Sequence, residues 1–223
     1  MVRLPIEYQE VEYLESTGTQ HINTEHLVQS EKIRIVASIN ATPSYGEQDL
    51  IGNQDSATGR FILGFYRYYV FLFARDSQGT EQNVTSETFP NEASNFVIDA
   101  VYDLQNETKS LSVNGETYSG SHTRSIISTA KLKLFQNGQN SNKFVGKTRY
   151  LKIYEDDNLL FDFIPCYRKS DSEPGMYDTV SGTFFTNAGT GTFLVGNDVS
   201  WEAIDLLALR RRIMLGQSHA THQ

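Results

Sequence analysis

Four side chains stand out as able to hold a ligand: Tyr66, Arg67, Tyr68 and Tyr69, in succession within FILGFYRYYVFLFA. Tyrosine offers a saccharide a flat apolar ring and a hydroxyl, and arginine adds a fork of donors, so these four are the candidate ligand-binding residues. Catalytic carboxylates are harder to find. Sandwich-type glycosidases work with two carboxylates held about 5 to 9 Å apart, commonly supplied by alternate residues of one strand as E-x-D-x-x-E, and that pattern is absent. The acidic clusters Glu155-Asp156-Asp157 and Asp171-Ser172-Glu173 fall at turns, where such side chains shape the backbone.

Other chemistries find even less. There is no G-x-S-x-G elbow, and Cys166 is the single cysteine, set in the apolar FIPCY, which reads as a buried structural position and rules out an intrachain disulfide. His21, His26 and His122 are isolated, and His219 and His222 form an H-x-x-H close to the C-terminus. The one metal candidate is Asp55, in GNQDSATG, which with loop carbonyls could hold a structural calcium. No other cofactor is expected, and no catalytic residue is assigned.

These residues need a scaffold, and composition indicates its type. A chain of 223 residues can bury a sizeable core, and its 13 Phe and 12 Tyr against one Trp suit half-buried pleated surfaces. The formal charge of −8 argues against nucleic acid, whose binding rests on clustered Lys and Arg. Acidic Glu7, Glu10, Glu12 and Glu15 interrupt the N-terminus, so no signal peptide is expected. No apolar run reaches 18 residues, so no membrane insertion is expected either.

From residue 19 to about 195 short β-type runs alternate with turn residues, at the spacing of a sandwich or barrel rather than of βαβ units. TQHINT, KIRIVASINA and FILGFYRYYVFLFA read as early strands. In the last, Phe61, Leu63, Phe65, Arg67, Tyr69, Phe71 and Phe73 fall on one face, with Ile62, Gly64, Tyr66, Tyr68, Val70 and Leu72 on the other. VIDAVYDL and KSLSVNG form a hairpin through Gln105-Asn106-Glu107-Thr108, and Asn114-Gly115 is a strong hairpin signal. AKLKLFQNG, FVGKTRYLKIYE and NLLFDFIPC follow, the last two joined at Glu155 to Asn158. MYDTVSGTFFT reads as strand, turn, strand with the reversal at Ser181-Gly182, and Asn187 to Gly191 lead into a closing strand, TFLVG.

After Ser200 the pattern changes. SWEAIDLLALRRRIMLG places Glu202 and Asp205 in the first turns, Arg210, Arg211 and Arg212 near the end and Gly216 as the stop, which predicts a capped helix. Leu206, Leu209 and Ile213 form one apolar stripe, and Trp201, Ile204 and Ala208 a second. Such a wide apolar surface must dock, so Trp201, Ile204, Leu206, Leu209, Arg210, Arg211, Arg212 and Ile213 are the candidate partner interface. The expected organisation is a sandwich domain over 1–197, an attachment or oligomerisation helix over 198–216 and a flexible tail over 217–223.

Two stretches, LPIEYQEVEYLESTGTQHINT at 4–24 and FDFIPCYRKSDSEPGMYDTVSGTFFTNAGTGTF at 161–193, resemble the end signatures of a concanavalin A-like, laminin-G-like jelly-roll family. That family is found in phages and prophages of gut bacteria and in surface proteins of those bacteria. LSVNGETYSG and FVGKTRYLKIYEDDNLLFDF resemble its middle strands, so the resemblance spans roughly 4–195. It implies an all-β, two-sheet antiparallel sandwich, here with an added C-terminal α-helix. It further implies a non-enzymatic phage or prophage virion protein, such as a fibre, decoration or baseplate part, assembled in the host cytoplasm. Host-surface polysaccharide would be its ligand, other virion proteins its partners through the helix, and a homo-oligomer its state. A bacterial carbohydrate-binding or adhesion module is the alternative, and a glycoside hydrolase of the same fold a third class.

Overall fold

In KIRIVASINA every second residue is apolar, and Ile33, Ile35, Ala37 and Ile39 are all buried while Arg34 between them is exposed. This period of two is what a strand needs to cover a core on one face and meet solvent on the other. The computed structural model repeats the pattern throughout. It describes residues 4–42, 46–54, 59–67, 69–76, 78–87, 95–137 and 142–200.

The strands run in chain order as β1 (Tyr8–Glu10), β2 (Leu14–Thr17), β3 (Ile22–Asn23), β4 (Lys32–Ala41), β5 (Glu47–Gly52), β6 (Arg60–Tyr66), β7 (Tyr69–Arg75) and β8 (Glu81–Thr85). Then come β9 (Phe96–Asp103), β10 (Thr108–Val113), β11 (Glu116–Ser121), β12 (Lys133–Leu134), β13 (Val145–Glu155), β14 (Asn158–Arg168), β15 (Glu173–Asp178), β16 (Thr183–Thr186) and β17 (Leu194–Val195). Among the described residues there is no helix. They form two antiparallel sheets. The larger runs β11-β10-β9-β4-β13-β14-β15-β16, with β1 on β14 and β2 bridging β13 to β17; the smaller runs β3-β12-β5-β6-β7-β8.

The core lies between the sheets. Ile33, Ile35, Ile98, Tyr102, Leu151 and Phe163 from the large sheet meet Leu50, Phe61, Leu63, Phe65, Val70 and Leu72 from the small one. Ring contacts stitch the layers: Phe61 meets Tyr102 at 5.7 Å, and Phe65 meets Phe96 at 6.0 Å. Each fully buried side chain of this size is worth about 1.5 to 3 kcal/mol.

The turns follow their residues. Asn114 (φ 52°) and Gly115 (φ 88°) make the two-residue reversal between β10 and β11, as their types predict. Asp156 (φ 48°) and Asp157 (φ 63°) make another between β13 and β14. MYDTVSGTFFT is the β15–β16 hairpin, and Tyr8 of β1 rests against Tyr177 and Phe184, both at 4.9 Å. The stretch is a structural buckle that closes the sandwich beside its N-terminal strand. Asp198 still bridges Val11, and Val199 donates to the Glu10 carbonyl.

One expectation is corrected. Residues 61 to 73 are not a single strand: β6 and β7 fold back on each other, with Tyr66 opposite Tyr69 and Arg67 in the left-handed region at φ 52°. The reversal between β6 and β7 resets the alternation. Phe61, Leu63 and Phe65 therefore share the core face with Val70, Leu72 and Ala74, whereas Ile62, Gly64 and Tyr66 share the outer face with Tyr69, Phe71 and Phe73.

Candidate functional site

The reset alternation builds a surface on the outer side of the small sheet, where side chains line up in rows across the strands. Glu47, Tyr66 and Tyr69 form the first row; Asp49, Gly64, Phe71 and Thr85 the second; Gly52, Ile62, Phe73 and Asn83 the third. Arg60, Arg75 and Glu81 end the series. A groove of about 430 Å³ follows these rows, lined also by Gln54, Asn137 and Asn142 from the loops beside β5. Its length, the seven residues of β6 from Tyr66 to Arg60, is about 20 Å.

A bulge in β5 makes the first two rows possible. Asp49 stands opposite Gly64, yet Ile51 already stands opposite Leu63, so Leu50 is the extra residue. Without that slip the rest of β5 would present the wrong face, since one residue of register exchanges inside for outside. With it, Glu47 and Asp49 face the groove side while Leu50 and Ile51 stay in the core. Gly64 is required here: a Cβ would lie 2.6 Å from the Gln48 carbonyl, 2.7 Å from the Phe71 ring and 3.0 Å from Asp49 Oδ1. Its bare backbone lets the ring and the carboxyl lie against the strand.

The groove has a dry floor and a polar surround. Ile62 and Phe71 are 3% and 8% exposed. At one end the Tyr66 and Tyr69 rings sit 5.7 Å apart, tilted by 52°, with the Arg67 guanidinium 5.2 Å from the Tyr66 centroid. At the other, Arg60 lies 5.0 Å over Phe73 and 3.9 Å from Glu81, which also faces Arg75 at 4.0 Å. Asn137 donates to Gln54 at 2.8 Å on the rim. An apolar floor ringed by a few amide and charged groups is what small-molecule sites share.

Asp49 is the anomaly. It is 0% exposed, and neither carboxyl oxygen completes a hydrogen bond of normal geometry, although Glu47 and Asn142 flank it. Burial first, and then the neighbouring Glu47 carboxylate, push its pKa up to about 9. Asp49 therefore carries its proton at neutral pH.

Of the residues singled out from the sequence, Tyr66 and Tyr69 meet at one end of the groove and Arg67 caps the Tyr66 ring. Tyr68 and Asp55 lie outside the described residues, as do Trp201, Ile204, Leu206, Leu209, Arg210, Arg211, Arg212 and Ile213, and with them nearly all of the 198–216 segment in which the sequence predicts a helix. Cys166 is buried, its thiol pushed up to about 12 by burial. The acidic turns serve the fold: Glu155 accepts from the backbone of Gln29 and Ser30, and Asp171 pairs with Arg168 at 2.6 Å. Glu47, Asp49, Arg60, Asn83, Asn137 and Asn142 escaped the sequence reading. One signal was available, since GEQDLIG carries the E-x-D half of the glycosidase pattern with Gly52 at the third acidic position. Among the described residues no group of three or more His, Cys, Asp or Glu is arranged to hold a metal ion.

Neither a protein-family model nor a curated protein sequence matches the chain. Solved structures do. A Bacteroides ovatus protein described as a candidate carbohydrate-binding protein superposes with a TM-score of 0.59 at 11% identity, over 86% of this chain and 62% of that one. This chain thus spans less than two thirds of that protein's length. The CBM40 module of the Ruminococcus gnavus IT-sialidase, bound to α2,3 sialyllactose, superposes at 0.53 with 15% identity over 67% of this chain and 91% of the module. Domains LG4-5 of the mouse laminin α1 chain give 0.51 at 16% identity, over 71% and 46%. At these identities the likeness establishes the fold: the chain is an all-β, two-sheet antiparallel jelly-roll sandwich, as the resemblance of its end signatures implies.

Proposed function

We propose that the chain is a carbohydrate-binding module, and that its saccharide lies in the groove of the small sheet with a ring stacked on Tyr66 and Tyr69. The observation that carries this reading is the pairing of those two half-buried rings at the mouth of a groove whose surround supplies Asn83, Asn137, Gln54 and Arg60 as hydrogen-bonding groups. Sugar faces are apolar and sugar edges are hydroxyls, so a site needs both kinds of surface together. The carbohydrate-binding neighbours in the same fold support it.

The module binds without cleaving. Gly52 stands where the third carboxylate of E-x-D-x-x-E would be, and Asp49 is too enclosed to reach a glycosidic oxygen. The setting we propose is a phage or prophage particle that reads host-surface polysaccharide, with residues 198–216 as the attachment segment; this rests on the resemblance of the two end signatures. A bacterial carbohydrate-binding module is supported at least as well by the solved structures.

The test is binding of the full chain and of its Tyr66→Ala/Tyr69→Ala variant to host cell walls and a broad glycan panel. Saturable binding that drops at least tenfold in the variant, with an unchanged melting temperature, is the expected result. Binding unaffected by the double substitution would place the ligand elsewhere, and no binding by the parent chain would remove the reading. Oligomeric mass before and after cutting at Gly196 tests the attachment segment.

A further inference from the structure

Away from the groove, near the β11 edge of the large sheet, two bases lie buried side by side. In β10 the residues facing the core are Lys109, Leu111 and Val113, so a lysine stands where the alternation calls for an apolar side chain. Lys109 is 4% exposed and His122 0%. Lys109 is flanked by Tyr102 of β9 on one side and by Gly120 of β11 on the other. His122 continues β11 by one step, its N–H donating to the Glu107 carbonyl at 2.8 Å, so it shares the Lys109 face and lies diagonally across from it. Diagonal neighbours of this kind are about 7 Å apart, within reach of a long side chain.

Among the described residues neither base has an acid. Both ring nitrogens of His122 lack a hydrogen-bond partner, and no carboxylate pairs with Lys109. Asp103, whose charge does reach His122, is engaged by the Asn106 amide at 2.7 Å and by Lys32 at 3.6 Å. Burial lowers Lys109 from the ordinary lysine range, and burial followed by the Lys109 charge pushes His122 down to about 4. The Tyr102 ring lies 5.1 Å from the imidazole, and its hydroxyl is already given to the Phe73 carbonyl. The β11 side is thinly covered. Gly120 is exposed, and a Cβ there would sit 3.5 Å from Lys109 Cε, so the edge strand has no side chain at this point to cover the lysine tail.

We propose that Lys109 is a carbon dioxide acceptor, its amine adding to CO2 to form a carbamate while His122 takes the released proton. The Nζ lone pair forms the bond to carbon, one C=O bond opens onto oxygen, and a proton passes from the nitrogen to a His122 ring nitrogen. Two neutral bases become a carbamate anion beside an imidazolium, and the overall charge does not change. CO2 suits the place because it is small and uncharged on entry and becomes, by reacting, the anion that the pair lacks. A preformed anion would have to shed its water first. The reaction also removes what holds His122 neutral, since the positive charge beside it gives way to a negative one and the imidazole gains a charged acceptor.

The site is independent of the carbohydrate reading, and its test needs no sugar. Carbon-13 NMR of the full chain in carbon-13 bicarbonate is compared with that of Lys109→Met and His122→Gln, each checked for folding by near-ultraviolet circular dichroism. A carbamate resonance that Lys109→Met lacks, and that is at least fivefold weaker in His122→Gln, is the expected result. Bicarbonate should also raise the melting temperature of the parent above its value in chloride of equal ionic strength, and leave that of Lys109→Met unmoved.

Identical spectra from the parent and Lys109→Met would assign the signal to other amines and overturn the proposal. A resonance undiminished in folded His122→Gln overturns it too, because the base would then be unnecessary. Should either variant fail to fold, trapping carbamates on the parent by O-alkylation and mapping them by mass spectrometry answers the question without mutation. An ester on the peptide that holds Lys109 is expected, and its absence would remove the site.

Discussion

Two buried aspartates, 0% exposed alike, sit at opposite purposes in this fold. Asp178 ends β15, where its Oδ1 accepts from the Asp162 N–H at 2.8 Å and the Val180 N–H at 3.2 Å, and its Oδ2 from Ser181 at 2.9 Å. It ties the 179–182 turn to β14. Asp49, in β5, completes no hydrogen bond of normal geometry at its carboxyl, though Glu47 and Asn142 flank it. The aromatics around them differ in the same sense. Beside Asp178, Phe163 is enclosed by Phe161 at 5.0 Å and Phe185 at 5.5 Å, whereas the Tyr66 and Tyr69 rings at the groove are only half-buried. A carboxylate that the chain satisfies with donors keeps its charge and serves the architecture, and one enclosed without enough of them holds its proton instead.

The architectural end should break hardest. Phe163→Ala removes a ring buried on all sides, and a loss of about 3 to 5 kcal/mol in urea unfolding is expected. Asp178→Ala strands three backbone donors around the turn, at a cost of about 3 kcal/mol or more. If either variant unfolds within 1 kcal/mol of the parent, roughly the effect of a surface change, the buckle is not the anchor its contacts indicate.

At the groove, removing both tyrosine rings should leave stability within about 1 kcal/mol of the parent, because neither ring sits in the core. Glycan binding is what should fall, by at least a factor of ten, or about 1.4 kcal/mol. A large loss of stability in Tyr66→Ala/Tyr69→Ala would erase the contrast with Phe163 and return these rings to the core.

The architectural end was legible because its signals are local. Asn114-Gly115, the Asp156-Asp157 turn and the alternation of KIRIVASINA each lie within a few residues, and each names its own structure. The groove was legible only in part. Tyr66 and Tyr69 stand out by type, but their shared face depends on a turn at Arg67, and the sequence there has none of the Gly, Asn or Pro that usually announce one. Nothing in the sequence shows that Leu50 is a bulge, so the outward aim of Asp49 was hidden. Asn83 and Asn137 reach the rim from segments more than fifty residues apart, and only the pairing of the sheet brings them together.

The effect that is smallest in acid, and the most diagnostic, belongs to Asp49→Asn. Asparagine has the shape of the protonated acid, so the two chains should unfold within about 1 kcal/mol of each other at about pH 4, the scale of a volume-conserving change. They should part as pH rises above that range, by about 1.4 kcal/mol per pH unit. The groups facing Asp49 are Glu47 on its own strand and Arg60 on β6, with the Asn142 amide beside them, and burial outweighs the Arg60 attraction. Asp49 therefore holds its proton more tightly folded than unfolded. Its contribution to stability is full below the ordinary carboxylate range, about 4, declines as pH rises, and is lost as pH passes about 9. Asp49→Asn has no proton to lose, so its stability relative to the parent should climb from pH 6 to pH 9. Parallel profiles would mean that Asp49 ionises normally, which requires water or a donor at its carboxyl and would dissolve the distinction between it and Asp178.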